Sequence, residues 1–201
     1  MSWSSLLAQK LRPDENGNLP RLWFLLGSEP LLAIEAQDAI RAAAFKAGYS
    51  ERKSFVFEGN ADYSPLYEAL GDQSLFGEKN LIEVVFPRAT IGKNGPAAVE
   101  AIIEHADEDK MVVVSLFDYD WTATKKDWFN HLMKAAVCIR TDPIDRNALP
   151  RWIMERAKEK NGQTLTPDEP EIPDVPETPD EPEIPDVPET PDVPEENVTE
   201  E

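Results

Sequence analysis

Cysteine is nearly absent. Cys138 stands alone among 201 residues, which excludes an intrachain disulfide framework. Within the apolar run AAVCIR it reads as a small buried hydrophobe rather than a reactive thiol. The histidines, His105 and His131, lack companion histidines or cysteines at ligand spacing, so no metal site is expected. No run approaches the roughly 18 consecutive apolar residues of a membrane span. The opening MSWSSLLAQKLRPDENG turns polar too soon for a secretory signal core. The expected compartment is therefore the cytoplasm. Basic residues are missing from one end. Thr166 to Glu201 holds fifteen Asp and Glu and no Lys or Arg, and removing that −15 from the total of −19 leaves −4 for residues 1–165. Neither portion has the clustered cations of a general phosphate binder.

What remains is an alternation. RLWFLLG (Arg21–Gly27) reads as a first strand, followed by a helix opened by Pro30, since proline suits the first helical position. Leu32, Ala36, Ala39, Ile40 and Ala43 fall on one face of that helix, and Gly48 marks its end. SFVFEG reads as a second strand, and YSPLYEAL as a helix with Ser64 as its cap and Pro65 as its first residue. NLIEVVF is a third strand, GPAAVEAIIEHA a helix, MVVVSLF a continuous apolar strand, TKKDWFNHLMKAA a helix and VCIR a short fifth strand. Apolar strands without alternation imply a sheet covered on both faces. The fold class that follows is α/β, with a doubly wound, mainly parallel sheet over residues 1–140. Residues 141–165 hold a break at Pro143 and one more helix, NALPRWIMERAKEKNG, whose packing residues should be Trp152, Ile153 and Ala157.

Residues 166–201 are repetitive. TPDEPEIPDVPE spans Thr166–Glu177, recurs unchanged at Thr178–Glu189, and is followed by a degraded copy, TPDVPEENVTEE. Proline at every third position removes the donors that helices and sheets need. The only apolar residues are scattered Ile and Val. An extended, disordered acidic tail is expected.

Catalytic chemistry is hard to find. After the first strand comes LLGSEPLLAIEA, which supplies Gly27 but not the second glycine, the lysine or the Ser/Thr of a phosphate loop, and Glu29 would repel a triphosphate. Asp118 follows VVVSLF where a nucleotidase strand holds magnesium, yet without a phosphate loop it reads as a strand-end or cap aspartate. No nucleophile sits in a recognisable turn. Neither a cofactor nor a catalytic residue is expected.

One stretch is left over. In GDQSLFGEKNLIEVVFP (Gly71–Pro87), Leu75 and Phe76 lie between a helix and a strand, with glycines at 71 and 77. They are either tucked under the fold or presented to a partner. Taken together, RLWFLLGSEPLLAIEAQDAIR, QSLFGEKNLIEV, KKDWFNHL and ALPRWIMERAK resemble the N-terminal part of the delta subunit of bacterial DNA polymerase III over about residues 20–165. That resemblance implies an AAA+-like domain, of clamp-loader ATPase type, without a working nucleotide site. It also implies a subunit that binds and opens the sliding clamp (the beta subunit) in DNA replication and reaches DNA only indirectly. It implies a clamp-binding plug of Leu75 and Phe76, with Ser74 and Gln73 beside them. Membership of the holoenzyme would place such a chain under DNA-directed DNA polymerase, a nucleotidyltransferase, with no catalytic site of its own.

Two departures stand out. The family's clamp motif often has glutamine three positions before the serine, where Gly71 stands here. The likeness also stops near Leu165: residues 141–165 are the incomplete start of the family's small helical domain, the collar domain that joins delta to other loader subunits has no counterpart, and either a truncated delta or a collarless clamp-binding module is expected. The alternatives are a degenerate α/β nucleotide-binding protein and an adaptor working through its acidic proline-rich tail.

Overall fold

The computed structural model describes residues 2–72 and 78–161, with side chains through Lys158. The chain divides into two units, Met1–Thr164 and Leu165–Glu201, and every described residue belongs to the first. The acidic repeat, expected to be disordered, lies outside the described residues.

Five strands form one sheet in the order β2-β3-β4-β1-β5, and every pairing is parallel. They are β1 (Leu22–Leu26), β2 (Tyr49–Val56), β3 (Lys79–Arg88), β4 (Lys110–Asp118) and β5 (Val137–Arg140). The helices are α1 (Trp3–Lys10), α2 (Pro30–Lys46), α3 (Ser64–Gly71), α4 (Gly95–His105), α5 (Asp127–Ala135) and α6 (Leu149–Asn161). The expected doubly wound α/β sheet is present.

The apolar strands are central because both their faces are covered. Phe24 of β1 lies opposite Val114 of β4 and Cys138 of β5, and all five β1 residues are buried. On one face Phe24, Val84, Phe86, Val114 and Leu116 share a core with Leu66 and Leu70 of α3, Ile102 of α4, and Phe129 and Leu132 of α5. On the other, Trp23, Leu25, Met111, Val113 and Ile139 pack with Leu7 of α1 and Ala36, Ile40 and Ala44 of α2. Alternate residues of one apolar run thus feed two cores, as a buried parallel sheet requires. Val112, Val114, Leu116 and Leu81, expected in the sheet core, are all buried.

Several boundaries move, each for a physical reason. β2 begins at Tyr49, five residues before the expected SFVFEG, and ends at Val56. It is an edge strand with one neighbour, so its first half, YSERK, stays polar and mostly exposed and carries no apolar signal. Tyr63 rather than Ser64 holds the cap position of α3. Asp62 Oδ1 accepts both the Ser64 N–H at 3.0 Å and the Ser64 hydroxyl at 2.7 Å, so the serine is drawn into the first turn. TKKDWFNHLMKAA divides into a 3₁₀ turn, Ala123–Lys125, and α5 from Asp127. On α2, Ala33 and Ala44 are buried while Ala39 and Ala43 are only partly so. α1 was not expected at all; Ser2 caps it by accepting the Ser5 N–H. On α6, Trp152 and Ala157 are half-buried but Ile153 is exposed. That helix is tied to α2 by an Arg156–Glu35 ion pair, and Arg156 also stacks over Trp152.

Candidate functional site

Gln73, Ser74, Leu75 and Phe76 lie outside the described residues. What surrounds them is well defined. α3 is held to the sheet by Leu66, Ala69 and Leu70, all buried. Its last turn is closed by the Asp72 N–H donating to the Glu68 carbonyl at 2.9 Å. The Asp72 carboxylate then takes the Lys53 ammonium of β2 at 3.0 Å, which fixes the start of the loop against the edge strand. On the far side, the Lys79 ammonium sits 5.4 Å from the centre of the Tyr49 ring. The Asn80 N–H donates to the Asp109 carbonyl at 2.7 Å. The connection 73–77 therefore springs from two fixed points at the amino-terminal edge of the sheet.

A second cluster escaped the sequence reading. Glu83, inside the apolar run LIEVVF of β3, is buried. Two arginines clamp it. Arg41 of α2 donates Nε to Oε1 at 2.6 Å and Nη2 to Oε2 at 3.1 Å, and Arg52 of β2 donates Nε to Oε2 at 2.7 Å. Arg41 also pairs with Asp38 at 2.8 Å. Its hydrogen bond to Glu83 raises the guanidinium pKa above the ordinary arginine value. The carboxylate thereby joins α2, β2 and β3 in the half of the sheet that carries the loop. A lone acid within an apolar strand was the available signal, since such a residue needs a cationic partner when buried.

The nucleotide question turns on the connection after β1. Gly27 has φ +147°, and a Cβ there would lie 2.3 Å from the Thr141 carbonyl, so only glycine fits. The Gly27 N–H donates to the Leu116 carbonyl at 3.2 Å and the Glu29 N–H to the Thr141 carbonyl at 2.8 Å. The Glu29 carboxylate caps α2 by accepting the Leu31 N–H at 3.4 Å. Three donors that a phosphate loop would turn toward its ligand are thus committed within the protein.

Asp118 closes β4, and its carbonyl accepts the Ala89 N–H at 2.8 Å. His131 Nδ1 lies 2.6 Å from Glu100, and His105 Nδ1 2.9 Å from the Ala101 carbonyl. Among the described residues no group of three or more His, Cys, Asp or Glu could hold a metal ion. Cys138 is partly buried against the core of α3, α4 and α5, and burial pushes its thiol above the ordinary 9.0. Among the described residues no helix is long and apolar enough to cross a membrane.

A family model described as DNA polymerase III, delta subunit, matches residues 23–142, from β1 through the end of β5. The chain belongs to that family. The DNA polymerase III subunit delta of Escherichia coli is 29% identical over 163 residues, covering 78% of this chain and 46% of the relative. That of Haemophilus influenzae is 25% identical over 146 residues, covering 70% and 41%. A solved structure of the Bacillus subtilis DNA clamp loader delta protein shares the fold, with a TM-score of 0.57 and 18% identity over 77% of this chain and 47% of that one. The chain thus spans just under half the length of the delta subunits it matches. The family's matched segment runs through the Gln73–Gly77 loop and both of its anchors.

Proposed function

We propose that the chain is a non-catalytic delta-type component of the DNA polymerase III clamp loader that binds, and helps to open, the sliding clamp during replication. The contact is made by Leu75 and Phe76, with Ser74 and Gln73 supplying the polar edge. The observation that supports this reading is the family match across residues 23–142, a segment that includes the SLF stretch. An apolar pair raised on a short connection can enter a partner pocket as a compact anchor, the arrangement that concentrates binding energy at interfaces. Residues 1–140 would carry this contact, 141–165 a helical extension and 166–201 a solvated tail. A cytoplasmic place of action accords with a replication family. The direct test is surface plasmon resonance of purified bacterial clamp over the immobilised chain. Saturable binding supports the reading, and a folded chain that binds no clamp removes it while leaving the family assignment in place.

A further inference from the structure

The carboxyl end of α3 carries an ion pair that local preference does not favour. Asp72 caps that end in extended backbone. A helix carboxyl terminus bears partial negative charge and favours a cation, so a carboxylate is the wrong charge for the place. The last turn of α3 holds no basic residue to offset it. The compensating charge comes from another element. The Lys53 ammonium of β2 donates to Asp72 Oδ2 at 3.0 Å, across 19 positions of sequence. Lys53 is 34% exposed and Asp72 60%, so the cation is the better shielded partner. With Phe55, Pro65 and Ala69, Lys53 lines the groove between the edge strand and α3. Backbone chemistry alone sets the exit from α3 loosely. Leu70 is the last buried residue of the helix, and Gly71 and Asp72 are both exposed. A Cβ at Gly71 would meet no atom within 4 Å, and glycine gives the backbone its widest freedom. A charge placed against its helix end, beside a glycine, marks a position where the sequence serves something other than the helix.

We propose that Lys53 is a positioning residue for the clamp contact. By holding Asp72 on the edge strand, it fixes the point and the heading at which the chain leaves α3 toward Leu75 and Phe76. This rests on the clamp reading of that pair. In this role Lys53 makes no contact with the partner. Preorganisation raises affinity by removing an ordering cost rather than by adding a contact. Its signature lies in association, because a smaller competent fraction lowers apparent affinity in proportion and leaves the bound complex as long-lived as before.

The test is surface plasmon resonance of purified bacterial sliding clamp over the immobilised full chain at about 50 mM salt. Lys53→Met and Asp72→Asn should each weaken binding about threefold to fivefold, the upper range for an ion pair near the surface, with the loss in the association rate. The two changes move the net charge in opposite directions, so an equal loss from both is not electrostatic steering. The exchanged pair, Lys53→Asp with Asp72→Lys, should recover affinity to within about twofold of the unmodified chain. At about 1 M salt all four chains should converge. Melting curves confirm that each variant is folded. An unmodified chain that binds clamp, with both single variants within about 1.5-fold of it, would overturn the proposal and leave the clamp reading standing. An exchanged pair no better than the single variants would also overturn it, because Lys53 or Asp72 would then meet the clamp directly. A folded, unmodified chain that binds no clamp would overturn both.

Discussion

Removing Arg41 should destabilise the fold more than neutralising the carboxylate it serves. The Glu83 side chain is 4% exposed, whereas Arg41 is 31% and Arg52 52% exposed. Arg41→Ala deletes two of the three charge-assisted hydrogen bonds and leaves a carboxylate that water cannot reach. Arg52 still holds Oε2, so the charge is only partly compensated, and breaking such a buried pair costs about 3 kcal/mol. Glu83→Gln keeps the shape and one acceptor, and the arginines it releases are exposed enough to rehydrate. Its cost should be about 1–2 kcal/mol, the scale of a lost hydrogen bond rather than a stranded ion. At about 2–4 °C per kcal/mol for a chain of this size, Arg41→Ala should lower Tm by about 6–12 °C and Glu83→Gln by roughly half of that or less. Because the residues touch, the double variant should cost less than the sum by about 1 kcal/mol. Urea titrations with matching melts measure all three. An Arg41→Ala shift below about 2 °C, or Glu83→Gln as the more damaging change, would refute the reasoning.

Other outcomes follow from the same structure. Val114→Ala, at the centre of β4 and fully buried, should cost about 1–3 kcal/mol through lost burial and a cavity, and an unmoved melt would contradict its place in the core. Burial holds the Tyr49, Tyr63 and Tyr119 phenols above the ordinary 10.0 and the Cys138 thiol above 9.0. The unfolded chain therefore gives up these protons first, and stability should fall as pH rises from about 9 toward the higher folded values; a urea midpoint flat across that range would argue against it. Residues 166–201, with almost nothing to bury against about 1–2 kcal/mol of backbone ordering per residue, should show amide exchange close to that of a free peptide, and protection through a whole repeat would overturn this.

Much of the sheet was legible because burial on both faces removes ambiguity. MVVVSLF and RLWFLLG are too apolar to be surface strands, and they became β4 and β1 beside one another. The polar half of β2 was invisible because an edge strand needs no apolar face, and α1 because its eight residues bury only Leu7. The Glu83 clamp joins residues 31 and 42 positions apart, and no local pattern announces such a meeting. Ser64 was misread since the stronger acceptor, Asp62, stood two residues earlier. The stretch from Gln73 to Phe76 differs again. Sequence pattern alone favours the core for Leu75 and Phe76, and only the likeness to a family gives them a role at the surface.

The central claim is tested most directly by clamp binding and thermal stability measured together on Leu75→Ala/Phe76→Ala. If the pair is an anchor in a partner pocket, each truncation removes about 2 kcal/mol or more of binding, and every 1.4 kcal/mol is a tenfold change in affinity. The account predicts affinity for the bacterial sliding clamp reduced by roughly a hundredfold or more, with Tm changed by less than about 2 °C. A large fall in Tm with the affinity of the remaining folded chain intact would make the two side chains part of the core and contradict the account.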